Sequence, residues 1–210
     1  MEALIPAIFR SLRRMDEEAN IKIEGYPAGL SWYGGFFRPE LEKPQTEPCW
    51  TKRLAQLLPG EGYPCDSEVR YSAVSLKGRR CDIVATLRDG SRIWIEIKGA
   101  WKDYWRQNKG EGIYRSYLLH PLEVALDPKT HTVPIDLHRL KSIRPSDGSR
   151  VGCLLIGFDS NEFPMDADIQ KLQRLAGLKR APWKMASAEW PDALRPGCKV
   201  RVWFWHRPVN

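Results

Sequence analysis

The feature that most constrains the fold is the stretch 81-CDIVATLRDGSRIWIEIKGAW-101. Two apolar runs flank Arg88-Asp89-Gly90, a pattern that reads as a β-hairpin. Alternate residues of a strand share a face. In 93-IWIEIK-98 the three isoleucines therefore take one face, and Trp94, Glu96 and Lys98 take the other. A three-residue loop with Gly90 in the left-handed position is a favoured hairpin type. It pairs residue 87 with 91, 84 with 94 and 82 with 96, so that Asp82 lies directly opposite Glu96. A two-residue Asp89-Gly90 loop would pair 82 with 97 and turn Asp82 to the other side. The three-residue closure, or a bulge with the same effect, is the expectation.

Two carboxylates that meet on a sheet repel each other unless positive charge compensates them. A divalent cation does this best, and hard oxygen ligands select Mg²⁺ or Mn²⁺. The competing reading is an ion pair between Lys98 and Glu96 or Asp82. Context favours the site. Glu96-Ile97-Lys98 is the one E-x-K in the chain, Asp82 precedes Glu96 by fourteen residues on the partner strand, and Gly99 follows directly.

The surroundings set the rest of the frame. The chain has 210 residues, a length that favours one domain with some elaboration, and 42% of them are hydrophobic, enough for a core. A net charge of +7 suits a polyanionic partner, because clustered Lys and Arg release counterions from phosphates. Five cysteines at wide spacings, with no C-x-x-C, argue against zinc, and Cys81 and Cys153 read as small core residues. That usage fits a reducing cytoplasm. The N-terminal stretch does not read as a signal peptide, and no run of 18 apolar residues suggests a membrane span. Without a G-x-x-x-x-G-K-S/T loop, ATP-driven work is not expected.

Apolar periodicity predicts helices over 3–15, 46–58, 111–126 and 166–177, and strands over 68–75, 81–87, 92–98, 151–158 and 199–206. The helix over 3–15 carries Arg10, Arg13 and Arg14 and reads as docked on the body rather than as facing DNA or a membrane. Residues 25–48, rich in Gly, Pro and aromatics, read as a connection formed by an irregular loop or a short hairpin around Gly34-Gly35. Residues 1–45 thus form a helix and an extension, and 46–210 the main α/β domain. His131 and His138 fall in what reads as a Pro-containing loop, and they, His120 and His206 read as ordinary surface histidines.

The pattern 80-RCDIV-84 with 94-WIEIKG-99 resembles the PD-(D/E)xK nuclease superfamily, over about residues 46–158. The resemblance implies a restriction-endonuclease-like fold: a mixed central sheet flanked by helices in the order αβββαβ, here with N- and C-terminal additions. It implies that Asp82 and Glu96 are metal ligands, that the Ile97 carbonyl is a third, and that Lys98 is the catalytic lysine. The family often adds a glutamate from the first helix or strand. Glu47 and Glu68 are the candidates here, and Glu47 is preferred because that helix packs over the site in the family. Cys81 replaces the literal proline before the aspartate, and the Q-x-x-x-Y signature of some members is absent, since Glu111 stands four residues after Gln107.

The activity so implied is Mg²⁺- or Mn²⁺-dependent hydrolysis of phosphodiester bonds, in DNA rather than RNA, by a homodimer or larger assembly. Trp101, Lys102, Tyr104, Trp105, Arg106 and Lys109 directly follow the lysine, and such interleaving of basic and aromatic residues suits a nucleic-acid groove. A partly buried aromatic cap on the sheet is the equal alternative. Arg79, Arg80, Arg115, Arg139, Lys141 and Arg144 could extend that groove. The alternative function is a non-catalytic module that retains the fold and binds nucleic acid or protein.

Overall fold

A computed structural model describes residues 1–18, 22–23, 26–27, 46–72, 76–101, 133–161, 164–179, 182–191 and 197–209. In chain order the elements are helix α1 (Leu4–Glu17), the two-residue strands β1 (Lys22–Ile23) and β2 (Tyr26–Pro27), helix α2 (Thr46–Leu57) with a 3-10 turn (Leu58–Glu61), and strands β3 (Cys65–Arg70), β4 (Arg80–Thr86) and β5 (Arg92–Trp101). Helix α3 (Val133–Leu140), strand β6 (Arg150–Ser160), helix α4 (Asp166–Leu175), and strands β7 (Lys184–Pro191) and β8 (Cys198–Pro208) complete the set.

The main sheet has six strands in the order β3-β4-β5-β6-β8-β7. Every neighbouring pair is antiparallel except β5 and β6, which run parallel. A parallel pair needs a crossover, and the chain between β5 and β6 includes α3.

Period-two alternation gives the sheet two apolar faces. Ile83, Ala85, Ile93, Ile95, Ile97, Leu154, Ile156, Val200, Val202 and Phe204 form one core with Leu4, Ile8, Leu12 and Met15 of α1 and Trp50 and Leu54 of α2. Val84, Trp94, Val151, Cys153, Leu155, Trp203 and Trp205 form the other, with Val133, Leu137 and Leu140 of α3 and Ile169 and Leu172 of α4. The result is a mixed α/β fold with a helical layer on each side of one sheet.

The hairpin closes as the turn chemistry requires. Gly90 has φ +80°, its N–H donates to the Leu87 carbonyl at 2.9 Å, and the Leu87 N–H donates to the Ser91 carbonyl at 2.7 Å. Asp89 Oδ1 accepts from the Ser91 N–H at 3.0 Å and braces the loop. The register runs Ile83↔Ile95, Val84↔Trp94, Ala85↔Ile93 and Thr86↔Arg92, the three-residue alternative expected above.

Several boundaries differ from expectation. β3 begins three residues earlier than expected and ends at Arg70. Residues 133–140, read from sequence as part of a loop, are helical. Pro134 falls in the first turn, where a missing N–H costs nothing, while Val133, Leu137 and Leu140 make a buried stripe. β7 was not expected at all. The expected helix over 111–126 lies outside the described residues, as do the Gly34-Gly35 hairpin, His120 and His131. His138 is exposed on α3, whereas His206, expected at the surface, is buried on β8 by the packing of the sheet.

The arginines of α1 are engaged with acids: Arg10 with Glu61, Arg13 with Glu17 at 3.0 Å, and Arg14 with Glu18 at 2.8 Å. Among the described residues no helix is long and apolar enough to cross a membrane. Cys65, Cys81, Cys153 and Cys198 are thiols, and Cys81 and Cys153 are buried as expected.

Candidate active site

The candidate site lies where β4 and β5 meet, on the side of the sheet that α3 covers. Glu96 and Lys98 are alternate residues of β5, only 2% and 5% exposed. Across the parallel ladder they stand opposite Cys153 and Leu155 of β6. The β4–β5 register, continued by one residue from Ile83↔Ile95, sets Asp82 opposite Glu96. At that position the Asp82 side chain takes up a backbone donor: Oδ2 accepts the Ile97 N–H at 2.6 Å. The Cys81 thiol donates to the Ile95 carbonyl at 3.2 Å and braces the same junction.

Each charged group has a protein partner. The Tyr71 hydroxyl donates to Glu96 Oε1, and the Tyr71 ring stacks on Trp94 with centroids 5.5 Å apart. The Lys98 ammonium donates to the Ile97 carbonyl at 3.3 Å and forms an ion pair with Asp136 Oδ2 at 3.2 Å. Asp136 is fully buried on α3 and takes Arg139 Nη1 on its other oxygen, Oδ1, at 2.9 Å.

The competing sequence reading had paired Lys98 with Glu96 or Asp82. The ion-pair partner instead comes from α3, a segment that had read as a loop. Arg139, proposed as part of a surface groove, is buried and held by Asp136. Asp136 is thus the site residue that sequence reasoning missed. The signal was present in Val133, Leu137 and Leu140 at helical spacing, which puts Asp136 next to the buried stripe.

The electrostatics follow from burial. Desolvation pushes the Glu96 carboxyl well above the usual range, and the charges of Asp136 and Asp82 push it the same way, while Lys98 opposes them. Burial, first of all, holds the Tyr71 hydroxyl protonated and so keeps it a donor to Glu96. Among the described residues, with all groups ionised, three carboxylates (Asp82, Glu96, Asp136) stand with two cations (Lys98, Arg139). The cluster therefore favours either a proton on Glu96 or one further positive charge.

The remaining sequence candidates are placed as follows. Glu68 is exposed on β3 with a left-handed backbone, φ +56°. The β3–β4 register sets it opposite Asp82, between Ser67↔Ile83 and Val69↔Cys81. Glu47 falls in the first turn of α2, with its side chain outside the described residues. Trp101 ends β5 with its side chain likewise outside them, and Lys102, Tyr104, Trp105, Arg106 and Lys109 lie outside altogether.

Oxygen donors of the type that Mg²⁺ or Mn²⁺ selects are present: the carboxylates of Asp82 and Glu96 and the Ile97 carbonyl. Among the described residues, no three His, Cys, Asp or Glu side chains are gathered in a ready-made cation cage. By donor type alone the set suits a hard cation. Compared with known proteins, the chain matches no family model, no curated protein and no solved structure.

Proposed function

We propose that the chain is a metal-dependent phosphodiesterase of the PD-(D/E)xK kind, with a restriction-endonuclease-like core, that hydrolyses DNA in preference to RNA. The observation that carries the reading is the β4–β5 register, which brings Asp82, Glu96 and Lys98 together on the hairpin that the motif needs. The carboxylates of Asp82 and Asp136 close to the buried Glu96 support it further.

In this reading Asp82, Glu96 and the Ile97 carbonyl would hold Mg²⁺ or Mn²⁺, with Glu47 or Glu68 as a further acid. When bound, the ion supplies a Lewis acid for a phosphoryl oxygen and lowers the pKa of water. Lys98 contributes a fixed ammonium, a donor only, which orients the attacking water and favours its hydroxide form. It also balances negative charge that grows on the phosphoryl oxygens. Water attacks phosphorus, the bond to the leaving strand breaks, and no covalent enzyme intermediate forms. A double-strand cut needs two such sites, so a homodimer or larger assembly goes with the reading. Trp101, Lys102, Tyr104, Trp105, Arg106 and Lys109 are the proposed contacts to the strand, and a reducing cytoplasm is the proposed compartment.

One observation favours a second reading. Each proposed ligand group already has a protein partner: Asp82 the Ile97 N–H, Glu96 the Tyr71 hydroxyl, and the Ile97 carbonyl the Lys98 ammonium. That is what a structural charge cluster in a non-catalytic binding module would look like. Incubation with circular DNA, linear DNA and RNA in Mg²⁺, Mn²⁺ or EDTA, beside Lys98→Ala and Asp82→Ala, separates the two. The enzyme reading expects metal-dependent cutting that both variants lose. Binding without cutting, unaffected by EDTA or either substitution, supports the module.

A further inference from the structure

We infer that Asp136 is the positioning residue for Lys98, holding its ammonium beside the Ile97 carbonyl. The inference rests on the phosphodiesterase reading and adds to it a residue outside the E-x-K motif. A lysine side chain carries about 2 kcal/mol of rotamer entropy, so a strand alone does not fix where its ammonium sits. Among the described residues two groups do: the Ile97 carbonyl, which accepts a hydrogen bond at 3.3 Å, and Asp136 Oδ2, an ion-pair partner at 3.2 Å.

Asp136 is itself held. Its Oδ1 takes Arg139 at 2.9 Å, one helical turn along α3, so each carboxylate oxygen serves a different cation. The helix is in turn fixed to the sheet by Val133, Leu137 and Leu140, which pack with Val84, Trp94 and Cys153. The ammonium is therefore placed by a chain of contacts from the core through α3 to the reacting end of β5. Loss of the Asp136 carboxylate would let the lysine move by an ångström or more, a shift that costs catalysis about 10²-fold.

The test compares wild type, Asp136→Asn, Lys98→Ala and the double variant in Mg²⁺-dependent cleavage of plasmid DNA. Asp136→Asn is expected to lower kcat about 10²-fold with KM within about twofold of wild type. The double variant is expected to be no slower than Lys98→Ala, because Asp136 acts through the lysine. Folded Asp136→Asn that cuts at the wild-type rate, or a double-variant loss equal to the product of the single losses, overturns the inference.

A second readout needs no activity. The side-chain ammonium resonance of Lys98 in a ¹H–¹⁵N spectrum, identified by its loss in Lys98→Ala, should shift or broaden away in Asp136→Asn. An unchanged resonance also overturns the inference. Should Asp136→Asn not fold, Arg139→Gln takes its place, with a smaller loss of kcat and the same non-additivity with Lys98→Ala. Wild type that shows no metal-dependent cutting, while the resonance still depends on Asp136, refutes the reaction and leaves the pairing standing, so the two failures are distinct.

Discussion

Glu96→Gln separates a functional carboxylate from a structural one. Gln has nearly the volume of Glu, so the substitution opens no cavity at a side chain that is 2% exposed. Its amide oxygen can still accept from the Tyr71 hydroxyl. What changes is the charge, which in the wild type works against burial and against Asp136 and Asp82, with Lys98 and the Tyr71 hydroxyl opposing. Because folding raises the carboxyl's pKa, its ionisation costs stability that a neutral isostere does not lose. In EDTA at pH 8, Glu96→Gln is expected to be more stable than wild type by about 1 to 3 kcal/mol.

The pH dependence gives this prediction its sign. Because the folded state raises the carboxyl above its unfolded value of 4.5, the unfolded chain loses the proton first as pH rises. Wild-type stability should therefore fall relative to Glu96→Gln from about pH 4.5 upward, by no more than about 1.4 kcal/mol per pH unit. Near pH 4 the two proteins should converge. Mg²⁺ then shifts the comparison: at ten times its Kd it adds about 1.4 kcal/mol to wild type and nothing to Glu96→Gln.

Urea unfolding followed by tryptophan fluorescence at pH 4, 6 and 8, with EDTA or Mg²⁺, reads all of this. A Glu96→Gln protein that is less stable than wild type at pH 8 in EDTA would refute the reasoning. It would mean that the ionised carboxylate is needed where it stands, as in a purely structural cluster.

Two further outcomes test the frame around the site. A Cβ on Gly152 would lie 2.6 Å from two ring carbons of the fully buried Phe204 and 3.3 Å from the Trp205 carbonyl oxygen. Gly152→Ala should therefore cost about 1 to 3 kcal/mol in urea unfolding, and an unchanged midpoint would mean that the two sheet strands part easily. Burial, then the charges of Arg150 and Lys184, lowers the pKa of His206 from 6.5 to about 4. Here the unfolded chain gains the proton first as pH falls, so stability should decline from about pH 6.5 to 4, by at most about 3 kcal/mol. His206→Gln should flatten that limb of a melting-temperature profile.

The hairpin was legible in the sequence because its determinants are local. Arg88-Asp89-Gly90 offers one favoured closure, and the isoleucines fix which face Glu96 and Lys98 take, so register and side-chain direction both followed. Asp136 was not legible for two reasons. It lies 38 residues beyond Lys98 in sequence, and nothing local says that 133–140 docks over β5. The Pro134 that made the segment read as a loop is harmless in a first turn. β7 went unseen for a different reason. Ala186, Ala188 and Trp190 do alternate, but alanine is a weak strand former and Pro191 closes the run. Only its pairing with β8 makes it a strand. Local chemistry thus specified the geometry of Asp82 and Glu96, and tertiary packing supplied the partner of Lys98.

The bond from Trp190 Nε1 to Asp16 Oδ2, at 2.9 Å, joins residues 174 positions apart. It ties α1 to β7, a strand synthesised much later than the helix. At translation speeds of about 5 to 20 residues per second, α1 waits roughly 9 to 35 s for that partner. Throughout that interval Leu4, Ile8, Leu12 and Met15 lack the Trp190 side of their core. Nascent chains halted before residue 190 should therefore be the ones that chaperones hold, and pairing of β7 with β8 should release them.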